Sequence, residues 1–360
     1  MSVRAGSSAE LATQVARLFF DRRMNKVEIA QRLGITRFQV ARLIDRALDD
    51  GLVRIEYPGM AKVDRMLAEA VEQQFGLDLC VVAAGGPDAG TGEIAGLAAG
   101  LIDELVTPGD VIGIAWGSTL AAVVDRIDRR AADGVAVVQL AGSSNRLDPG
   151  LEPGEVSRNL AARLGATHHP IFAPAFVDEP SIRRAIVRHP DLASTVALLD
   201  RLTMAIVGVG AIGDEGEAPS SSLLRSGALA GPDIARLRAL GAVGDLVVHP
   251  FDGHGRFVAP ELADRAVAVN VEQLRRTGRV IAVAGGAAKA AAIRGALRSR
   301  VVGVLVTDAA AARAVIALED RDGGLGAASP ESTASPARTG NAASAPAVRS
   351  ARAAARRARP

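Results

Sequence analysis

Glycine turns that follow hydrophobic runs are the features of this sequence most able to bind a ligand. The run at 111–115 is followed by WGSTL, in which Gly117 leads directly into a predicted helix. Such a turn leaves N–H groups free at the positive end of the helix dipole, and the hydroxyls of Ser118 and Thr119 add donors. The pattern suits a phosphate group, although a Ser-Thr pair at a helix start is also a common cap.

A second glycine turn, GGAAK at 285–289, contains Gly286 and ends in Lys289. It follows the hydrophobic run at 280–284 and also leads into a predicted helix. Lysine is rare in this chain, since it accounts for three of the 42 basic residues. In the first turn of a helix, the Lys289 ammonium would add a point charge beside the free N–H groups.

A third turn follows the run at 135–140, where Gln139 stands shortly before Gly142. A glycine after a strand is by itself more often a simple turn than a ligand site. Because open parallel sheets bind ligands at the carboxyl ends of their strands, the three turns would converge at one edge of one sheet. Together they predict a single pocket for an anion.

Other ligand chemistries are less well supported. The segment GVGAIG at 208–213 matches a dinucleotide-binding fingerprint, but the acidic residues at 214–219 predict a loop where that fingerprint needs a helix. The five histidines are not spaced with cysteines or carboxylates as metal ligands are, and the pair His168-His169 is predicted to be structural. We therefore expect no metal and no cofactor.

The N-terminal residues predict a helix-turn-helix. A first amphipathic helix covers 9–20. The second begins at a capping pair, Asn25 with Glu28, and Gly34 ends it. A third helix begins at the capping-box spacing of Thr36 with Gln39, and a short strand at 53–57 follows. In such a unit the second helix of the motif enters the major groove of DNA.

The exposed face of that recognition helix carries residue types that read DNA. With Val40 at the centre of the buried face, Phe38, Gln39, Arg42 and Arg46 fall on the opposite side. Arginine can hydrogen-bond to guanine or phosphate, glutamine can pair with adenine, and phenylalanine can contact a thymine methyl group. The candidate DNA contacts are Lys26, Thr36, Arg37, Phe38, Gln39, Arg42 and Arg46.

A less specific interpretation remains open for the same residues. Small three-helix units also serve as protein-docking modules, and Gln39 can be occupied with helix capping. Exposed arginines are often just a solvated face. Lys26 and Arg37 are better placed for backbone phosphates than for bases.

Composition and charge limit the class of protein. Apolar residues make up 49% of the 360 residues and charged residues 23%, and no run of 18 apolar residues occurs. No secretory signal is visible at the start, so a cytoplasmic protein is expected. The charge is +3 over 1–57, −6 over 58–322 and +5 over 323–360. These charges favour an anionic partner for the two basic end segments, and not for the acidic middle segment as a whole. The lone Cys80 is expected to be buried.

The chain from residue 77 predicts an α/β fold. We expect strands near 79–83, 111–115, 135–140, 203–207, 244–248, 280–284 and 301–306, and helices near 92–106, 118–130, 155–165, 181–199, 231–239, 287–297 and 308–318. Strands that are apolar on both faces belong to a parallel sheet covered by helices. An amphipathic helix at 60–75 would link this domain to the first and could pair with a second copy. From about residue 322 the chain has almost no large apolar residue, which predicts disorder.

Several ordered segments together resemble the SorC family of sugar-responsive transcription regulators, from about residue 10 to 318. The segments are VEIAQRLGIT at 27–36, RLI at 42–44, GDVIGIAWGSTL at 109–120, VVQLAG at 137–142, IVGVG at 206–210, GAVGD at 241–245, FD at 251–252, VAGG at 283–286 with Lys289, and LVTD at 305–308.

The resemblance implies a helix-turn-helix, winged-helix-like domain followed by a doubly wound, mostly parallel sheet similar to that of sugar-phosphate isomerases. It also implies a homotetramer that binds operator DNA and a sugar, polyol or sugar-phosphate effector. Carried over by position, the effector contacts would be Gly117, Ser118, Thr119, Gln139, Gly142, Gly208, Gly210, Asp252, Gly286 and Lys289. On residue type alone, Asp252 is equally well explained as a turn aspartate before Gly253.

We therefore predict a DNA-binding regulator of carbohydrate metabolism that is not an enzyme. Its parts would be a DNA-binding domain at 1–57, a linker helix at 58–76, an effector domain at 77–320 and a basic tail at 321–360. One alternative is a sugar-phosphate isomerase or deaminase with an added N-terminal module, for which Asp245 and Asp252 are the candidate acid/base groups. Another is a NAD-dependent enzyme built on 208–213.

Overall fold

The computed structural model describes residues 8–22, 24–49, 52, 63–85, 90–143, 152–213 and 220–325. The chain divides between residues 60 and 61 into two compact units, which are described separately. The predicted strand at 53–57 lies outside the described residues, as do residues 326–360 of the predicted tail.

The first unit contains the three predicted helices: α1 (Ser8–Ala16), α2 (Lys26–Leu33) and α3 (Arg37–Asp49). A π-helical turn, Arg17–Asp21, extends α1. Their apolar faces meet in a small core in which Val15, Ile29, Val40 and Ile44 are buried. The positions of these buried residues along their helices agree with the predicted helix-turn-helix.

Capping fixes the two ends of α2. The Asn25 side chain accepts hydrogen bonds from the amides of Val27 and Glu28, and the Glu28 carboxylate accepts one from the Asn25 amide at 3.0 Å. At the other end Gly34 has φ +67°, a left-handed conformation that glycine adopts without a Cβ penalty. Because both ends are specified, the turn that orients α3 is specified as well.

The second unit is built on a sheet in the order β1-β9-β8-β5-β2-β3-β4, all parallel. These strands are β1 (Leu79–Ala83), β2 (Val111–Ile114), β3 (Ala136–Gln139), β4 (Thr167–His169), β5 (Met204–Ala211), β8 (Arg279–Val283) and β9 (Val304–Asp308). β1, β2 and β9 are buried along their whole length. Burial on both faces is what helices on either side of a parallel sheet produce, and it confirms the predicted fold class.

An antiparallel extension was not predicted. The end of β5 pairs with β6 (Ala242–Leu246), which pairs in turn with β7 (His249–Asp252). The strand predicted at 244–248 therefore belongs to a hairpin and not to the parallel sheet. The predicted run at 244–248 contains Leu246, Val247 and Val248, so hydrophobicity alone could not separate it from the parallel strands. The more polar β7 was not predicted.

The helices are α4 (Arg65–Phe75), α5 (Thr91–Leu105), α6 (Ser118–Val124), α7 (Pro153–Leu164), α8 (Pro180–Val187), α9 (Pro190–Leu199), α10 (Ser222–Arg225), α11 (Gly231–Ala239), α12 (Pro260–Ala263), α13 (Val271–Arg276), α14 (Ala290–Arg298) and α15 (Ala309–Leu325). A 3-10 turn, Ala287–Lys289, precedes α14.

Three helices differ from the prediction. The one expected at 181–199 is two helices, α8 and α9, because Pro190 cannot continue a helix and instead starts one. The helix expected at 118–130 ends at Val124, and α15 continues to Leu325. In α4, which was expected to link the two domains, Ala68, Val71 and Phe75 are buried, whereas Met66 is exposed. No helix within the described residues is long and apolar enough to span a membrane.

Candidate functional site

A cleft lies where β2 and β5 end, between the start of α6 and the β6–β7 hairpin. It is a partly open cleft of about 50 Å³, which is room for a few water molecules. Carboxyl ends of parallel strands are the usual ligand-binding edge of such a sheet. The lining includes Trp116, Gly117, Ser118, Thr119, Gly208, Gly210, Ser222, Arg225, Asp245, Val247 and Lys289.

The start of α6 supplies free backbone donors to this cleft. Gly117 has φ +117°, and a Cβ at this position would lie 2.8 Å from Ser222 Oγ, so the turn requires glycine. The first amide of α6 bonded within the helix is that of Ala121, which donates to Gly117 O at 2.9 Å. Within the described residues the amides at 117–120 have no backbone acceptor. They are available to an anion.

Two cations face the same cleft. Lys289 donates from Nζ to Val209 O at 3.2 Å, and Arg225 also lines the space. Burial lowers the pKa of Lys289, and Arg225 lowers it further, while Asp245 acts in the opposite direction. A negatively charged ligand would offset the mutual repulsion of these two cations.

Asp245 lies on β6 and is 5% exposed. It packs tightly over Gly210, where a Cβ would clash with Asp245 Oδ1. Within the described residues Oδ1 has no hydrogen-bond partner, and neither does the buried Trp116 Nε1. Burial raises the pKa of Asp245 to about 6, although a Ser221 hydrogen bond and Lys289 both act to lower it. Asp245 lines the cleft, and a carboxylate is a suitable acceptor for a ligand hydroxyl.

The raised pKa of Asp245 gives a stability prediction. Below about pH 4 the carboxyl is protonated in both folded and unfolded chains. Between about pH 4 and the folded pKa of about 6, the unfolded chain ionises while the folded chain keeps its proton. Asp245 therefore makes stability fall as the pH rises through this window, by about 3 kcal/mol.

Asp245→Asn should remove this dependence. We expect the variant to gain up to about 3 kcal/mol over the wild type at pH 7 relative to the difference at pH 4. Urea unfolding at both pH values measures the two differences. Asp200→Asn, at a position that is exposed, is the control. Equal differences at pH 4 and pH 7 would show that Asp245 ionises normally.

The structure brings six predicted effector contacts to this cleft: Gly117, Ser118, Thr119, Gly208, Gly210 and Lys289. It does not bring Gln139 or Gly142 there. Gln139 is buried, donates to Ala141 O at 2.5 Å and accepts from the Ile171 amide at 3.1 Å. At Gly142 a Cβ would lie within 2.6 Å of backbone atoms of Ala173 and Pro174, so that glycine serves close packing.

Gly286 and Asp252 also lie outside the cleft lining. The Gly286 amide donates to Asp308 Oδ2 at 2.6 Å, and it is therefore not free for an anion. Asp252 Oδ1 accepts from the amides of His254 at 2.9 Å and Arg256 at 3.0 Å, and Oδ2 accepts from Arg256 Nε at 2.8 Å. Asp252 is therefore a turn aspartate, which was the other explanation that its residue type allowed. Burial alone would raise the pKa of Asp252, but these hydrogen bonds lower it.

Ser222, Arg225, Asp245 and Val247 are among the lining residues that were not predicted as effector contacts. Asp245 was considered only as an acid/base candidate. Val247 follows the end of β6 and has a left-handed φ, so strand alternation along the sequence could not have paired it with Asp245. Within the described part of the chain, no group of three or more His, Cys, Asp or Glu could hold a metal.

In the first unit, the predicted DNA-facing residues have the expected exposure. Phe38 is 80% exposed, while Val40 and Ile44 are buried. The residues Lys26, Thr36, Arg37, Gln39, Arg42 and Arg46 are also exposed. Lys26 Nζ lies 5.9 Å from the Phe19 ring centroid. A single face of α3 thus carries an aromatic ring and arginines.

Gln39 is engaged locally. Its Oε1 accepts from the Thr36 amide at 2.8 Å, and the Gln39 amide donates to Thr36 Oγ1 at 3.2 Å. Bidentate pairing of glutamine with adenine requires that oxygen. Reading adenine through Gln39 would therefore break the cap of α3.

Comparisons with known proteins agree with this arrangement. The family model described as "Putative sugar-binding domain" matches residues 61–317. The chain is 28% identical over 308 residues to the sorbitol operon regulator of Klebsiella pneumoniae, covering 83% of this chain and 95% of that protein. It is 28% identical over 319 residues to the erythritol catabolism regulatory protein EryD of Brucella abortus, covering 87% of this chain and 98% of EryD.

A solved structure gives the same result at the level of the fold. The full-length sorbitol operon regulator SorC from Klebsiella pneumoniae aligns with a TM-score of 0.65 at 26% sequence identity. The alignment covers 86% of this chain and all of that one. These relatives are named as regulators and not as enzymes.

Proposed function

Because the chain belongs to the SorC family of sugar-binding transcriptional regulators, we propose that a phosphorylated sugar or polyol occupies the cleft and controls operator binding. The observation that carries this proposal is the convergence of the free amides at 117–120 with Lys289 and Arg225 in one cleft. Ser118 and Thr119 add hydroxyl donors.

The proposed ligand orientation follows from the chemistry of the two ends of the cleft. Amides at a helix start and an ammonium group suit the phosphate. Asp245, which lines the cleft, would accept a hydroxyl of the sugar or polyol. A purely apolar ligand would leave these donors and the acceptor without partners.

DNA binding is assigned to residues 1–57, with α3 in the major groove. Phe38 and Arg42 are the proposed base-reading pair, because both are exposed on the face opposite buried Val40. Arg46, Arg37, Thr36 and Lys26 are proposed as phosphate-side contacts, and Gln39 as the cap that holds the helix start. Residues 58–76 would link this domain to the effector domain at 77–320.

Control requires that the effector bind one arrangement of the protein more tightly than the other. Only such a difference in affinity can shift the balance between the DNA-bound and free forms. The homotetramer that the family resemblance implies is part of the proposal, as is a cytoplasmic location beside the DNA. Sedimentation equilibrium of the full chain tests the tetramer.

Isothermal titration calorimetry tests the ligand class directly. Ribose 5-phosphate, glucose 6-phosphate, sorbitol 6-phosphate and their unphosphorylated forms would be titrated into the full chain. We expect at least one phosphorylated compound to bind tenfold or more tightly than its unphosphorylated form, a difference of about 1.4 kcal/mol. No heat from any phosphate would reject the cleft as a phosphate site.

The same cleft contains a carboxyl group whose pKa is near neutrality, which is the property of a general base. We nevertheless propose binding without conversion. Incubation of the protein with pentose and hexose phosphates, followed by chromatography, should recover the unchanged compounds. Turnover that is lost in Asp245→Asn would instead support the isomerase alternative.

A further inference from the structure

Val247 has an unusual backbone conformation. It is the first of the two turn residues that join β6 to β7, where Leu246 pairs with His249. Its φ is +60°, and within the described residues the other non-glycine positions with positive φ are Ala259 and Arg300. A positive φ in a β-branched residue is rare, since the branched side chain crowds the backbone.

A glycine would relieve this cost. Two-residue hairpin loops with a positive φ at their first position normally have glycine there. The β6–β7 hairpin has valine instead, and its side chain is only 5% exposed. A strained residue is retained only when its surroundings hold it, and such residues concentrate at ligand sites.

Val247 lines the cleft together with Asp245. It follows the end of β6, in the turn that leads to β7. The cleft lining therefore includes a branched apolar residue as well as the carboxylate that we assign to a sugar hydroxyl. Such a residue limits which ligand substituents can fit next to it.

We infer that Val247 is a specificity-determining residue, which selects effectors with an unsubstituted carbon next to the hydroxyl held by Asp245. This inference rests on the proposed function. A ligand hydroxyl placed against the valine methyls would lose its hydrogen bonds to water without gaining a partner. A deoxy or methylene carbon at that place would pack against the methyls. The chemical class is thus a sugar or polyol phosphate with one position lacking a hydroxyl.

The test compares phosphorylated sugars that differ in one hydroxyl. Ribose 5-phosphate with 2-deoxyribose 5-phosphate, and glucose 6-phosphate with 2-deoxyglucose 6-phosphate, are titrated by calorimetry into the full chain. The wild type should prefer the deoxy member of at least one pair by tenfold or more. In Val247→Gly, which removes both methyls and relaxes the turn, that preference should fall to threefold or less.

Val247→Thr is the second variant, because it keeps the shape of valine while replacing one methyl by a hydroxyl. It should fold like the wild type, as monitored by thermal melting, and shift the preference toward the hydroxylated member by fivefold or more. Ala259→Gly is the control, since it relaxes a positive φ at a residue outside the cleft lining. Its preference should match that of the wild type.

The outcomes separate this inference from the proposed function. If the wild type binds no sugar phosphate, the proposed function is overturned and the inference with it. If the wild type binds but shows no preference within either pair, or if Val247→Thr and Val247→Gly keep the wild-type ratio, the role of Val247 alone is overturned.

Discussion

Lys289→Met is expected to weaken the binding of a phosphorylated effector by about 10- to 150-fold. The ammonium lies at the cleft beside Val209 O, and methionine keeps most of its length without its charge. A hydrogen bond to a charged group contributes about 1.5–3 kcal/mol, which sets the range. Calorimetric titration of the phosphate that binds the wild type measures the loss.

The unphosphorylated form of the same sugar and a second variant serve as controls. Methionine at 289 should change the affinity for the unphosphorylated sugar by less than threefold, because no dianion is present to meet the ammonium. Arg201→Met removes an exposed cation outside the cleft lining and should leave phosphate binding intact. An equal loss in both variants would indicate a general charge effect and not a specific contact.

Arg42→Ala should weaken operator binding by about 5- to 150-fold. A side chain that reads a base edge contributes about 1–3 kcal/mol. Arg42 is exposed on the face of α3 opposite Val40. The measurement is a gel-shift titration at fixed salt, on an operator recovered by selection from genomic fragments.

Salt dependence distinguishes the two roles that Arg42 could have. If it contacts a phosphate, the loss should be similar on all DNA sequences, and the slope of log affinity against log salt should decrease by about 1. If it reads a base, specific binding should fall more than nonspecific binding. Arg32→Ala, an exposed arginine on α2, is the matched control. Unchanged operator binding by Arg42→Ala would remove this residue from the interface.

Sequence patterns were sufficient to predict the elements that are set by interactions between residues close together in the chain. The caps at Asn25 and Thr36 and the left-handed Gly34 all lie where the sequence indicates. The apolar runs also identify six of the seven strands of the parallel sheet, because burial on both faces leaves continuous hydrophobic segments. The polar edge strand β4 was not predicted. Phe38 could be predicted as exposed because helical phase alone determines its face.

The two glycine turns show why a site is harder to predict. Gly117 and Gly286 both follow a strand and lead into a helix. Within the described residues the Gly117 amide has no acceptor, whereas the Gly286 amide has one. The Gly286 amide is taken by Asp308, a residue at the end of β9. That pairing depends on which strands are neighbours in the sheet, and spacing along the sequence does not encode it.

The hairpin illustrates the same limit for the polar residues. Asp245 and Asp252 are both aspartates near the ends of apolar segments, and they lie on adjacent antiparallel strands. Asp245 lines the cleft, whereas the carboxylate of Asp252 accepts hydrogen bonds within its own turn from His254 and Arg256. Recognising the difference requires the antiparallel pairing of β5 with β6, which a prediction of parallel strands does not contain.

The most direct measurement is the operator affinity of the full chain with and without a bound sugar phosphate, in the wild type and in Lys289→Met. For the wild type, a saturating phosphorylated effector should change operator affinity at least tenfold, while its unphosphorylated form should not. The variant should bind the operator as tightly as the wild type and require about 10- to 150-fold more effector for the same change. A wild-type operator affinity that no sugar phosphate alters, or an unchanged response in Lys289→Met, would contradict control through this cleft.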